Sequence, residues 1–133
     1  MNKNMNTSIE IEIAKKIYNA ININDVSTYL SFFDENVERF ETFGGSLKGL
    51  AELKTNFSQG RDTWAEGSCE PERFIAQDNK LVVYAHVLVR QKNKQEWIDG
   101  HVTDVFVFEN EKVVAFHSFA DHQEALAWAG IVG

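Results

Sequence analysis

Apolar positions recur along the chain with two different rhythms, helical over the first sixty residues and alternating thereafter. Ile9, Ile13, Ala14, Ile17 and Ile21 are spaced by three and four behind Thr7 and Glu10, a capping-box pair, and predict a helix over about 8–20. After the polar turn 22–24, Asp25 is placed to cap a second short helix whose Val26, Tyr29, Leu30 and Phe33 form one apolar stripe. The acids and asparagine at 34–36 break that stripe. Alternation over 37–43 then predicts a short strand ending at Gly44 and Gly45, and Ser46 or Gly49 starts a third helix carrying Leu50, Leu53 and Phe57 to Gly60. Strands follow at about 69–77, 80–91, 96–108 and 112–120, separated by turn signals at Asp78-Asn79, Asn93-Lys94 and 109–111. Asp121 and Glu124 make another capping box, which opens a final helix through Trp128. Pro71, the one proline, is read at a strand start, where its missing N–H does no harm.

Helices followed by antiparallel strands predict an α+β domain with helices packed on one face of a sheet. In 80–91, Leu81, Val83, Ala85, Val87 and Val89 point one way and Val82, Tyr84, His86 and Leu88 the other, so both faces are largely apolar. The three helices cover one face. A homodimer through the outer sheet face is the expected cover for the other, with the segment 60–68 as the alternative.

Composition sets the class. A chain of 133 residues is one domain in size, and its 44% hydrophobic share, with ten Phe, favours an aromatic-walled interior over disorder. A formal charge of −7 with no basic run argues against nucleic acid and anionic membranes as partners. The single Cys69 permits no internal disulfide and reads as a buried thiol; no Cys/His spacing calls for a metal or a cofactor. Neither a leader pattern nor a membrane-length apolar run is read, so the default location is the cytoplasm.

Asp104 is the residue that most needs a reason. It stands within the β-branched and aromatic run 101–108, where burial beside Phe106 and Phe108 would disfavour its charged form and let it donate a hydrogen bond to a carbonyl or a developing enolate. The bland reading is a carboxylate on the wet face, or one paired with Arg90 or Arg39. Asp121 is explained well enough by helix capping. His117 is read with the parity of Asp121 as a base near an acid, while His101 points opposite to Asp104. Tyr18, Trp64, Tyr84, Phe106 and Phe116 are candidate cavity walls, with His86 beside Tyr84 on the same strand, and Arg39 is a candidate clamp for an anionic ligand. Trp97 and Trp128 are read as packing residues.

The segments 18–38 (YNAININDVSTYLSFFDENVE), 44–49 (GGSLKG) and 104–121 (DVFVFENEKVVAFHSFAD), in this order and spacing, resemble the nuclear-transport-factor-2-like superfamily, specifically its SnoaL-like and ketosteroid-isomerase-related branch. The resemblance spans nearly the whole chain and implies a cone: a curved antiparallel sheet wrapped on the N-terminal helices, in the order ααβαββββ, with a short C-terminal helix. It places Asp104 on the penultimate-strand acid that ketosteroid isomerases keep protonated, and Tyr18 about one residue from their first-helix tyrosine. Their first-strand base falls on Arg39, with Glu38 and Glu41 the nearest acids, which argues against steroid isomerisation. Asp121 resembles the acid ending the last strand in limonene-epoxide-hydrolase-like and polyketide-cyclase-like relatives. The hydrolase's earlier-strand arginine and aspartate have no match; Tyr84 and His86 stand in that region. The implied function is acid–base proton transfer on an apolar or carbonyl-bearing small molecule in a hydrophobic pocket. The alternative is a non-catalytic ligand-binding or protein-interaction module on the same fold.

Overall fold

The computed structural model describes residues 3–131, with side chains from Thr7 onward. Helix α1 (Lys3–Asn22) leads into α2 (Val26–Leu30), β1 (Phe33–Phe40), β2 (Ser46–Lys48), α3 (Leu50–Arg61), β3 (Trp64–Gln77), β4 (Lys80–Gln91), β5 (Trp97–Glu109), β6 (Lys112–Phe119) and α4 (His122–Ala129). The strands form one curved, open, six-stranded sheet in the order β2-β1-β6-β5-β4-β3. All neighbours are antiparallel except β1 and β6, which run parallel. The α+β class is as the sequence predicts, with one strand more.

Several boundaries differ from the sequence reading, each for a local reason. Helix α1 starts before Thr7, so Thr7 and Glu10 lie inside the helix, and Glu10 is buried at 8% exposure. Asp34, Glu35 and Asn36 do not end an element: the β1–β6 register shifts between Phe33 and Glu38, and the bulge holds them, with Asn36 N–H donating to Asp34 Oδ2 (2.9 Å). Gly44 and Gly45, at φ 98° and 92°, turn the chain back so that 46–48 pairs with β1 as a short strand instead of opening a helix. Strand β3 begins five residues early, at Trp64, because Gly67 lets β3 close on β4; a Cβ there would lie 2.3 Å from the Leu88 carbonyl oxygen. Pro71 sits inside β3, next to a register shift on an edge strand, where a proline is tolerated. Asp25 and Asp121 cap α2 and α4 as their positions predict.

Two apolar clusters hold the layers together. Against the inner face, Ala14, Ile17, Tyr18 and Ala20 of α1, Tyr29 of α2, and Leu53 and Phe57 of α3 pack on Val37, Leu81, Val83, Ala85, Phe106, Phe108, Val113 and Phe116. On the outer face Ala125, Leu126 and Ala129 of α4 cover Val82 and Val105, with Ile75 and Phe119 alongside. Part of that face is therefore covered by the chain's own last helix. The segment 60–68, offered as a cover, is instead the end of α3 and the start of β3. Further along the outer face Leu88 (37% exposed) and Trp97 (47%) stay open, so Trp97 is not the packing residue expected, whereas Trp128 of α4, though 38% exposed, packs on Phe40, His117 and Phe119.

Candidate active site

Asp104 points inward. It is 4% exposed, facing an open cavity of about 330 Å³ between α1, α2, α3 and the inner sheet face. Tyr18 Oη–H, reaching down from α1, donates to its Oδ2 at 2.6 Å, and Ser118 Oγ–H, from β6, donates to its Oδ1 at 2.5 Å. Burial pushes the carboxyl above its ordinary value, against the Arg39 guanidinium and the bonds from Ser118 and Tyr18, which favour the charged form. Among the cavity-lining residues Asp104 is the one carboxyl group.

Tyr18, Arg39, Trp64 and Phe116 line the cavity, joined by Tyr29, Thr42, Asn56, Arg61, Cys69 and Ser118. Phe106 is fully buried behind the wall, stacked on Phe116 (centroids 4.6 Å) and edge-on to Tyr18 (6.0 Å). Arg39 lies over the Phe116 ring at 3.9 Å and donates from Nη1 to the Phe40 carbonyl (2.8 Å). Arg61 lies over Trp64 at 4.5 Å, with Nε and Nη2 held by the carbonyls of Ile21 (2.8 Å) and Asn22 (3.1 Å). Burial raises the Cys69 thiol and the Tyr18 and Tyr29 phenols above their ordinary values, which favours the protonated form of each. Ser118 had one legible signal, its parity with Phe116 on an alternating strand.

Four candidates are not in the cavity. His117 faces the outer side, stacked on Phe119 (3.8 Å) and edge-on to Trp128 (5.0 Å); burial and the Arg39 charge lower its pKa. A regular hairpin closing with Glu109 opposite Lys112 would set Asp104 opposite His117. The register slips one residue between Phe108 and Val107, and Ser118 takes that place. Asp121 spends its Oδ1 on the backbone N–H groups of Gln123 (2.8 Å) and Glu124 (3.2 Å). Tyr84 and His86 are on the outer face: Tyr84 stacks on His101 (4.6 Å), and His86 Nε2 lies 2.6 Å from Asp99 Oδ1, a contact that raises the His86 pKa. His101 is on that same face, opposite to Asp104, and bonds Glu72 (3.0 Å). Arg90, the other offered partner of Asp104, pairs with Glu66 (2.9 Å). No group of three or more His, Cys, Asp or Glu among the described residues is placed to hold a metal ion. No described helix is long and apolar enough to cross a membrane.

A curved sheet closed by helices around one buried carboxyl defines the class: a cone-shaped α+β domain with a small-molecule-sized pocket. The chain belongs to the SnoaL-like domain family, whose model matches residues 14–116. No curated protein matches the chain by sequence. Solved structures share the fold at low identity. A nuclear-transport-factor-2-like protein of unknown function from Burkholderia pseudomallei K96243 is 21% identical with a TM-score of 0.76, covering 90% of this chain and 95% of that one. A candidate SnoaL-like polyketide cyclase from Jannaschia sp. CCS1 is 10% identical with a TM-score of 0.78, covering 90% of each. An epoxide hydrolase of the limonene-epoxide-hydrolase-like type from M. tuberculosis is 11% identical with a TM-score of 0.73, covering 90% of this chain and 88% of that one.

Proposed function

We propose that the chain is a small-molecule enzyme that moves a proton on an apolar, carbonyl-bearing substrate, with Asp104 as the proton carrier. One observation carries this: a carboxyl 4% exposed at a cavity wall, anchored by two hydroxyl donors. A carboxylate made more basic by burial is better matched to a weakly acidic C–H next to a carbonyl. In the step, that C–H bond breaks and a new O–H bond forms on Asp104, while the electron pair moves into the enolate, whose oxygen is stabilised by Arg39. The proton then returns to the same or a conjugated carbon. With His117 and Asp121 outside the cavity, the one carboxyl performs both halves, and no second base is required.

The test is proton exchange in D₂O. 2-Tetralone, a flat apolar ketone with acidic C–H bonds, is followed by proton NMR with the wild type and Asp104→Asn, and Trp64 fluorescence reports binding. The expected outcome is exchange above the buffer rate that falls to that rate in Asp104→Asn while binding persists. Equal exchange by the two proteins removes Asp104 from the mechanism. Binding without exchange by the wild type supports the second reading, a non-catalytic binding or interaction module. Arg39 at the first-strand position, and no second cavity carboxyl among the described residues, favour that reading.

We also infer that two copies pair through the part of the outer face that α4 leaves open. Leu88 and Trp97, exposed there, support it. Light scattering at micromolar concentration should give twice 15.2 kDa; a mass of 15.2 kDa overturns the inference.

A further inference from the structure

We propose that the ligand of this cavity is an anion, a flat apolar ring bearing a carboxylate, seated with its charge against Arg39. This rests on the cavity being the working site and names the class of molecule it takes.

Arg39 is the reason. The carbon of its guanidinium lies over the Phe116 ring, 3.9 Å from the centroid, and the group carries five N–H donors. Nη1 is engaged by the Phe40 carbonyl at 2.8 Å and, at the limit of a bond, by the Phe116 carbonyl at 3.5 Å. Nε is buried without an acceptor among the described residues, so the guanidinium that lines this pocket is only partly satisfied by the protein. Guanidinium donors in such places are ordinarily satisfied, and Arg39 therefore has bonding capacity left for a ligand acceptor.

Charge points the same way. The wall carries two guanidiniums, Arg39 and Arg61, against the single carboxyl of Asp104, so its balance is positive even with that carboxyl ionised. A chain of net charge −7 has thus gathered a positive balance around one apolar hollow. A carboxylate beside Arg39 gains a charge-assisted bond, whereas a neutral carbonyl gains only the weaker neutral one and a cation is repelled. Phe116, Trp64 and Tyr29 make the lining largely aromatic. The volume, about 330 Å³, lies at the small end of the roughly 300–1,000 Å³ of ligand pockets and suits a fused bicyclic compound.

The experiment compares 2-naphthoate with its neutral isostere 2-naphthamide, titrated at neutral pH into the wild type, Arg39→Gln, Arg39→Lys and Asp104→Asn, each first shown folded by circular dichroism. The wild type is expected to bind the carboxylate roughly tenfold or more tighter than the amide, the scale of one charge-assisted bond. Arg39→Gln should lose that preference with amide affinity unchanged, Arg39→Lys should keep part of it, and Asp104→Asn should keep all of it. Equal affinities in the wild type, which need no variant to read, overturn the proposal; so does a preference that survives Arg39→Gln, or no binding of either compound. Because the preference survives Asp104→Asn and the exchange reaction does not, the two readings fail separately.

Discussion

Tyr18→Phe tests the built environment of Asp104. The substitution keeps the ring, its edge-on contact with Phe106 at 6.0 Å and its burial, and removes one O–H···O bond of 2.6 Å to Asp104 Oδ2. A hydrogen bond to a charged group contributes about 1.5–3 kcal/mol net, against about 0.5–1.5 kcal/mol for a neutral pair. The cost should therefore depend on pH. Tyr18 favours the ionised carboxyl and so lowers the folded pKa of Asp104 relative to the variant. Its stabilisation is full above that pKa and partly lost as pH falls through it. In urea titrations between about pH 4 and pH 9, the difference between wild type and Tyr18→Phe should climb from the neutral-bond range to the charged-bond range. At the upper end the melting midpoint should fall by roughly 5–10 °C for a domain of this size. A difference that stays flat with pH would show that Asp104 does not titrate against Tyr18, and a difference under about 0.5 kcal/mol throughout would remove the bond from the account.

Other positions give sharper structural readouts. Gly67→Ala drives a Cβ to 2.3 Å from the Leu88 carbonyl oxygen at a backbone φ of 132°, and should destabilise the fold by about 2 kcal/mol or more in chemical denaturation. Asp121→Ala removes the cap bonds to Gln123 and Glu124 and should cost about 1 kcal/mol while leaving tetralone exchange unchanged, since the carboxyl lies outside the cavity.

The sequence carries the layers and the inward acid. Helical spacing in 9–21 and alternation in 80–91 are direct prints of burial, and three asparagine-bearing turns, at 78–79, 93–94 and 109–111, mark the hairpins. The register of the last hairpin is less visible. One extra residue near Val114 exchanges His117 for Ser118 opposite Asp104, and no local residue type announces it. The face chosen by Tyr84 and His86 was equally hidden. Alternation gives relative parity, both faces of β4 are apolar, and it takes α4 packing on Val82 to show which side those residues share. Arg39 and Arg61 line the same cavity from β1 and α3, a convergence of distant segments that no spacing rule anticipates.

Asp104 is a cavity carboxyl whose surroundings raise its proton affinity. Carbon-13 NMR of aspartate-labelled protein, with Asp104→Asn assigning the resonance, tests this most directly. The Asp104 carboxyl should titrate above the ordinary 3.8 and shift when 2-tetralone fills the cavity. A titration at or below 3.8, indifferent to the ketone, would contradict the account.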